Sequence, residues 1–262
     1  MSTKGTALVT GASTGIGAVY ADRLAKRGYD LILVARNVQR LQDLAARLTK
    51  EAGVKVETIQ ADLTAKQDVA KLEKRLTEDK SITLLINNAG MSVAGNTLEA
   101  DADQIEHMLT LNVVAPTRLA KAAATGFAAR KSGAIINIAS VTAFVPEMFP
   151  GAYAGTKSFV ITFTQGLAVE LAPFGVKVQA VLPGATRTEI WERAGKDVNA
   201  LPPEMVMEVD DMVDASLAGF DQGELITIPS LADAGLLKNL ESARQALGPH
   251  LSLKNAAARY KV

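Results

Sequence analysis

Within its first thirty residues the chain runs from a short apolar strand into a glycine-rich turn and then a helix, and few features restrict a fold as much. The strand is Thr6-Ala7-Leu8-Val9-Thr10. The turn is Thr10-Gly11-Ala12-Ser13-Thr14-Gly15-Ile16-Gly17, and the helix it opens stops near Gly28. A strand that feeds a helix through such a turn aims the helix's first backbone N–H groups at one point, where the helix dipole favours an anion. The glycines permit the tight turn and let the backbone approach a ligand closely. The spacing is Gly-x-x-x-Gly-x-Gly rather than Gly-x-Gly-x-x-Gly, so the flanking strand and helix carry the assignment. The turn predicts the first unit of a parallel sheet, with Gly11, Ser13, Thr14, Gly15, Ile16 and Gly17 cradling a dinucleotide phosphate.

The rest of the chain repeats the alternation. Residues 30–35 form a second strand, apolar almost throughout as burial on both faces requires. Residues 38–52 are an amphipathic helix closed by Gly53. Further strands are expected at 54–60, 82–86, 134–139, 176–182 and 224–228. Further helices are expected at 65–77, at 101–131 with a break near Asn112 to Pro116, at 153–172, and from about Asp210. Residues 185–207 have no clear period, and the last thirty read as a helix with a polar tail. Without repeats or a linker, the chain reads as one α/β domain over 1–262. The expected architecture is a Rossmann-type doubly wound parallel sheet in three αβα layers.

Composition narrows the function. Lys plus Arg and Asp plus Glu number 28 each, which removes the electrostatic case for nucleic acid or an anionic membrane. There is no cysteine, so disulfides, thiolate metal sites and a cysteine nucleophile are excluded. No apolar run reaches about 18 residues, and no basic-then-apolar leader precedes the first strand, so a cytoplasmic protein is expected. His107 and His250 share no ligand spacing, and Asp210, Asp211 and Asp214 suit a helix start, so no metal is expected. Lys254, Arg259 and Lys261 read as solvated tail residues.

The ends of the next strands border the same crevice. An NAD site usually carries a carboxylate about 20 residues after the turn, to bind the ribose 2′-hydroxyl. Here the second strand ends in Ala35-Arg36-Asn37. No acid opposes a 2′-phosphate, Arg36 can pair with it, and Arg40 lies one helical turn on, so NADP(H) is preferred over NAD(H). Asp62 and Leu63 follow the third strand. Asn87-Asn88-Ala89-Gly90 follows the fourth, where small and amide side chains let backbone pass close to a flat ligand.

The chemistry is carried by Tyr153 and Lys157, which share a helix face at i and i+4. A phenol is a poor base at neutral pH, and a neighbouring ammonium favours its ionised form. Tyr153 then exchanges a proton with a substrate oxygen, and Ser140, at the end of the fifth strand, donates a hydrogen bond to the same oxygen. A hydride from a nicotinamide completes an alcohol–carbonyl interconversion.

With these motifs in place the chain resembles the short-chain dehydrogenase/reductase family of the ordinary single-domain type. The glycine turn, Asp62, Asn87 to Gly90, Asn112, Ser140, Tyr153-x-x-x-Lys157 and Pro183-Gly184 match in order and spacing over residues 5 to about 190. The resemblance implies that Asn112 holds a water linking Lys157 to solvent, and that Lys157 also binds the nicotinamide ribose. It implies that Thr188, beyond Pro183 and Gly184, reaches the nicotinamide amide and diphosphate. It implies a homodimer or homotetramer built through the helices before and after the fifth strand. The C-terminus departs from the family, since Glu224-Leu-Ile-Thr-Ile-Pro229 is followed by Ser230-Leu-Ala-Asp rather than a Val-Asp-Gly-Gly-like stretch. Met148, Phe149, Trp191, Met205 and Met207 are expected to line an apolar pocket for a small carbonyl or alcohol substrate, with 185–215 as a lid. Other readings are a dinucleotide-sensing regulator without catalysis, a reductase of β-ketoacyl thioesters on an acyl carrier, and oxidation of a hydroxy amino acid.

Overall fold

A computed structural model describes residues 4–260; Lys261 lies outside them. Seven parallel strands form one sheet: β1 Thr6–Thr10, β2 Asp30–Ala35, β3 Val56–Gln60, β4 Ile82–Asn87, β5 Ala134–Ile138, β6 Lys177–Val181 and β7 Ile226–Thr227. Their order is β3-β2-β1-β4-β5-β6-β7. The order reverses between β1 and β4, and in open α/β sheets a crevice for ligands forms at the carboxyl ends of the strands at that point.

Nine α-helices are described: α1 Gly15–Lys26, α2 Val38–Ala52, α3 Lys66–Glu78, α4 Ala102–Leu109, α5 Ala115–Arg130, α6 Gly151–Leu171, α7 Ile190–Arg193, α8 Val209–Gln222 and α9 Ala234–Ala246. Two apolar layers hold the sheet between them. On one face Tyr20, Leu24, Leu41, Leu48, Met212 and Leu217 from α1, α2 and α8 pack on Val9, Leu31 and Leu33. On the other, Leu72, Leu76, Leu119, Phe127 and Leu167 from α3, α5 and α6 pack on Leu8, Ile32 and Ile135. β1 and β5 are buried along their whole length, which is why their sequences are mostly apolar rather than alternating, with Asn137 in β5 satisfied by Asn87 and Thr164.

Local signals account for the helix ends. Asn37 caps α2 by accepting from the Arg40 backbone N–H at 3.0 Å, and Gly53 closes it in the left-handed region at φ 69°. Asp101 caps α4 by accepting from Asp103 and Gln104. The break expected near Asn112 is a π-turn over Thr110–Val114, after which Pro116 sits in the first turn of α5. Proline lacks the N–H that an uninterrupted helix needs, so the chain widens before it.

Two expectations change. The last strand is only Ile226–Thr227. The segment after β6 holds the short α7 and 3₁₀ turns up to Glu208, and α8 begins at Val209. Residues 209–215 therefore start a helix that buries Met212 and Val213 and leaves Asp210, Asp211 and Asp214 exposed, rather than continuing the irregular segment. Asp210 and Asp214 at the start of α8 pair with Arg23 of α1 at 2.5 and 2.7 Å.

The chain divides into two compact units at Pro229 and Ser230. The first holds the whole sheet. The second contains α9, started by Asp233 accepting from the Gly235 N–H, and none of its described residues is buried. No described helix is long and apolar enough to cross a membrane, and the described residues contain no cluster of His, Asp or Glu able to hold a metal.

Candidate active site

The glycine turn is welded to the end of β4. Thr10 Oγ1 accepts from the backbone N–H groups of Asn88 and Ala89 at 2.9 and 3.1 Å and donates to the Ile86 carbonyl. Asn88 Nδ2 donates to the carbonyls of Thr10 and Gly11. Gly11 adopts φ 66°, and a Cβ there would stand 2.8 Å from Asn88 Nδ2. A Cβ on Gly17 would stand 2.4 Å from the Gly11 carbonyl oxygen. Any side chain at either position therefore closes the cradle. Thr14 precedes α1 in extended conformation and its side chain makes no cap, so the first-turn N–H groups of α1 stay available to a phosphate. Ser13 lies in the turn, and Ile16 packs inward against the α1–α2–α8 layer. These features fit a dinucleotide diphosphate.

At the adenosine end, Arg36 is exposed at the end of β2 and makes no ion pair among the described residues. Arg40 is already engaged: its Nη1 donates to both carboxylate oxygens of Glu189 at 3.0 Å. Asp62 Oδ1 accepts from the Thr64 N–H at 2.9 Å and from Thr64 Oγ1 at 2.7 Å. Partial burial pushes its carboxyl up, but the Thr64 bonds and the Arg36 charge outweigh that and leave it below the ordinary value. Leu63 is buried among the α3–α5 core residues, so only its backbone can face a ligand.

The four residues expected to carry chemistry come together. Ser140 starts the 3₁₀ turn Val141–Ala143, accepting from the Thr142 N–H at 3.2 Å and facing the Pro183 carbonyl at 3.5 Å. Pro183 also accepts from the Val141 N–H, which ties the end of β6 to the end of β5. Tyr153 and Lys157 lie in the first two turns of α6, with Lys157 Nζ 5.7 Å from the Tyr153 ring centroid. A methyl added at Gly90 would stand 3.2 Å from Asn112 Oδ1 and 3.6 Å from Lys157 Nζ, so the β4 end meets both. Gly184 accepts from Thr186 Oγ1, and Thr188 Cγ2 would lie 3.3 Å from a Cβ on Gly15. The segment after β6 thus crosses the glycine turn.

The electrostatics differ from the expected form. The Tyr153 side chain keeps some exposed surface, but its hydroxyl is enclosed. Burial pushes that hydroxyl up to about 12, and the opposing pull comes from a hydrogen bond with Ser140. Lys157 is 7% exposed and burial pushes it down to about 8; its Nζ donates to the Ile138 carbonyl at 3.1 Å. The ammonium is held by β5 and is itself desolvated; burial of the phenol outweighs the groups that favour its ionised form, of which the Ser140 hydrogen bond is the main one.

The Asn112 side chain is anchored on both sides. Its Oδ1 accepts from the Met91 N–H at 2.9 Å, and its Nδ2 donates to the Met91 carbonyl at 2.8 Å and to Thr156 Oγ1 at 3.2 Å. The amide is thus fully engaged in joining the π-turn to the loop after β4 and to α6. Thr156 in turn donates to the Tyr153 carbonyl at 2.7 Å. Thr10, Met91, Thr156, the Ile138 carbonyl and Glu189 had no role in the sequence reading. Only Thr156 carried a signal, as the i+3 neighbour of Tyr153 on the face that presents Lys157.

The apolar residues expected around the substrate are dispersed. Met148 and Phe149 line a cleft of about 530 Å³ with Leu98, Glu147 and Lys196. Trp191 lines a separate cleft of about 400 Å³ with Gly15, Thr188 and Glu189. Met207 pairs with Thr186 and packs on the core layer, and Met205 is exposed and lines neither cleft. The short ladder between Thr186 and Met207 turns the Met207 side chain into the core.

Comparison with known proteins agrees with this geometry. Residues 5–199 match the family model for short chain dehydrogenases. A short-chain dehydrogenase from Sphingobium yanoikuyae, solved in complex with NADPH, is 54% identical with a TM-score of 0.96, covering 98% of this chain and 100% of that one. The bulky-bulky ketone specific alcohol dehydrogenase from Comamonas testosteroni is 48% identical with a TM-score of 0.92, covering 100% of both. The uncharacterized oxidoreductase YmfI of Bacillus subtilis is 32% identical, covering 95% of this chain and 96% of its own.

Proposed function

The chain belongs to the short-chain dehydrogenase family of oxidoreductases, and from that premise we propose that it uses NADP(H) to interconvert a ketone or aldehyde with its alcohol, with Tyr153 as general acid and base. The observation that carries this reading is the meeting of Ser140, Tyr153 and Lys157 at the carboxyl end of β5, beside an uncapped glycine turn. NADP(H), when bound, supplies or accepts the hydride. Gly11 and Gly17 would admit its diphosphate, and Arg36 would pair with its 2′-phosphate. The NADPH complex of the Sphingobium relative supports this choice of cofactor.

Tyr153 donates its hydroxyl proton to the substrate oxygen in reduction, with Ser140 holding both oxygens. With its hydroxyl up at about 12, Tyr153 stays protonated through the neutral range. The proton needed for reduction is therefore present near neutrality, while the phenolate needed for oxidation gains population as pH rises. Lys157, at about 8, is the nearest group able to restore the proton. Asn112 and Thr156 position α6 against β4, and a water near Lys157 would complete the relay.

A ketone flanked by large groups suits the cleft beside Met148 and Phe149, and the Comamonas relative's name supports that class. NADPH absorbance followed over a panel of such ketones tests the reading. Turnover is expected with NADPH, and Arg36→Ala is expected to cut the NADPH-over-NADH preference in kcat/KM at least about tenfold. No oxidation with any carbonyl, alongside tight NADPH binding, would favour the dinucleotide-sensing regulator.

The same family membership supports a homodimer or homotetramer through α5 and α6. Phe159, stacked on Phe163 at 5.8 Å, and Val169 expose apolar surface on α6. Light scattering is expected to give a multiple of the chain mass, and Val169→Glu a smaller one.

A further inference from the structure

Glu189 occupies a place no step of the proposed chemistry uses. It sits one residue after Thr188, which lies over Gly15, and just before α7. Its carboxylate takes both bonds of Arg40 at 3.0 Å and one from Arg193 at 2.6 Å. The Arg40 bond is the main reason its carboxyl lies below the ordinary value. Arg40 stands one helical turn after Arg36, on the edge where a 2′-phosphate would lie, while Arg36 has no ion-pair partner among the described residues. Of the two arginines at the adenosine end, one has no ion-pair partner among the described residues and the other has its Nη1 taken by a carboxylate from the segment after β6.

We propose that Glu189 is a specificity-determining residue that stands in for the cofactor's 2′-phosphate on Arg40 Nη1, so that a 2′-phosphorylated cofactor competes with it there and, where it wins, releases the strap 185–193 from α2. The inference rests on the NADP(H) reading and concerns the same site. Arg40 Nη1 is already shared between both Glu189 oxygens, so a phosphate reaching that nitrogen competes with the carboxylate, and a carboxylate beside the phosphate position repels a dianion. The pair is half exposed, with 47% of the Arg40 side chain and 39% of Glu189 accessible, so its hold is weak enough for a phosphate to break. A cofactor with a 2′-hydroxyl has no group to make the exchange. It leaves the strap fastened, so the adenosine end communicates with the segment that crosses the glycine turn.

Trp191 supplies a readout independent of turnover. It is the sole tryptophan, lies two residues beyond Glu189, and its Nε1 donates to the Thr186 carbonyl at 2.9 Å. The test is calorimetric titration of the whole protein with adenosine 2′,5′-bisphosphate and with AMP, together with Trp191 emission. Glu189→Gln is expected to tighten the bisphosphate about fivefold, the scale of one exposed ion pair, and to leave AMP unchanged. Wild-type emission is expected to shift with the bisphosphate and not with AMP, and the shift is expected to be absent in the variant, where the strap is already loose. Unchanged or weaker bisphosphate binding in Glu189→Gln, with wild type still preferring it over AMP, overturns the proposal and leaves the cofactor reading intact. If neither protein distinguishes the two ligands, both fail.

Discussion

Tyr153→Phe is expected to lower kcat for carbonyl reduction by about 10³-fold while NADPH still binds, since a positioned general acid contributes on that order. The change removes one oxygen and little else. The Tyr153 backbone carbonyl keeps its bond from Thr156, so the first turn of α6 and the Asn112–Met91 clamp stay in place. The aromatic ring still lies beside Lys157. What disappears is the proton donor and the oxygen that Ser140 holds. Stopped-flow binding of NADPH and steady-state reduction of one active ketone separate the two effects. Full turnover in the variant would mean that another group delivers the proton, and the mechanism would fall. In the wild type, a hydroxyl at about 12 keeps Tyr153 an intact acid from pH 6 to 9. Any loss of reduction rate with a midpoint near 8 is then assigned to Lys157.

The fold was legible because its signals are local and repeated. The buried strands read as mostly apolar runs, and the first turn, the Asn37 cap and Gly53 each act within a few residues. The placement of Ser140, Tyr153 and Lys157 was legible for the same reason, since each lies at a strand end or on one helix face. The errors come from long-range effects. Nothing near Met207 in sequence shows that Thr186 will pair with it and turn it inward. Nothing near Arg40 shows that Glu189, 149 positions away, will cover it. The expectation that Lys157 lowers the Tyr153 pKa rested on spacing alone. It could not include the Ile138 carbonyl or the burial of both groups, and burial decides the result.

Lys157→Met is expected to stabilise the protein at neutral pH while lowering turnover about 10²-fold, and the pH dependence of that stability is the sharper test. The amine is 7% exposed and falls from 10.5 to about 8 on folding. A shift of that size costs folding about 3 kcal/mol wherever the amine is charged in both the folded and the unfolded chain. Below pH 8 the amine is charged in both states and the full penalty applies. Between pH 8 and 10.5 the unfolded chain binds more protons than the folded one, so wild-type stability rises with pH. Above 10.5 the amine is neutral in both states and the penalty is gone. Methionine fills similar volume without a charge, but it abandons the Ile138 carbonyl, which costs about 1–3 kcal/mol. The balance at pH 7 is a gain of about 1 kcal/mol, or roughly 2–4 °C in Tm for a chain of this size. As pH rises from 8 to 10.5 that gain should shrink and then reverse, leaving only the lost hydrogen bond. Thermal unfolding of both proteins at pH 7, 9 and 10.5 reads the crossing. A difference that stays constant across that range would show that Lys157 does not carry the cost of burial, and its role as the proton reservoir behind Tyr153 would lose its physical basis.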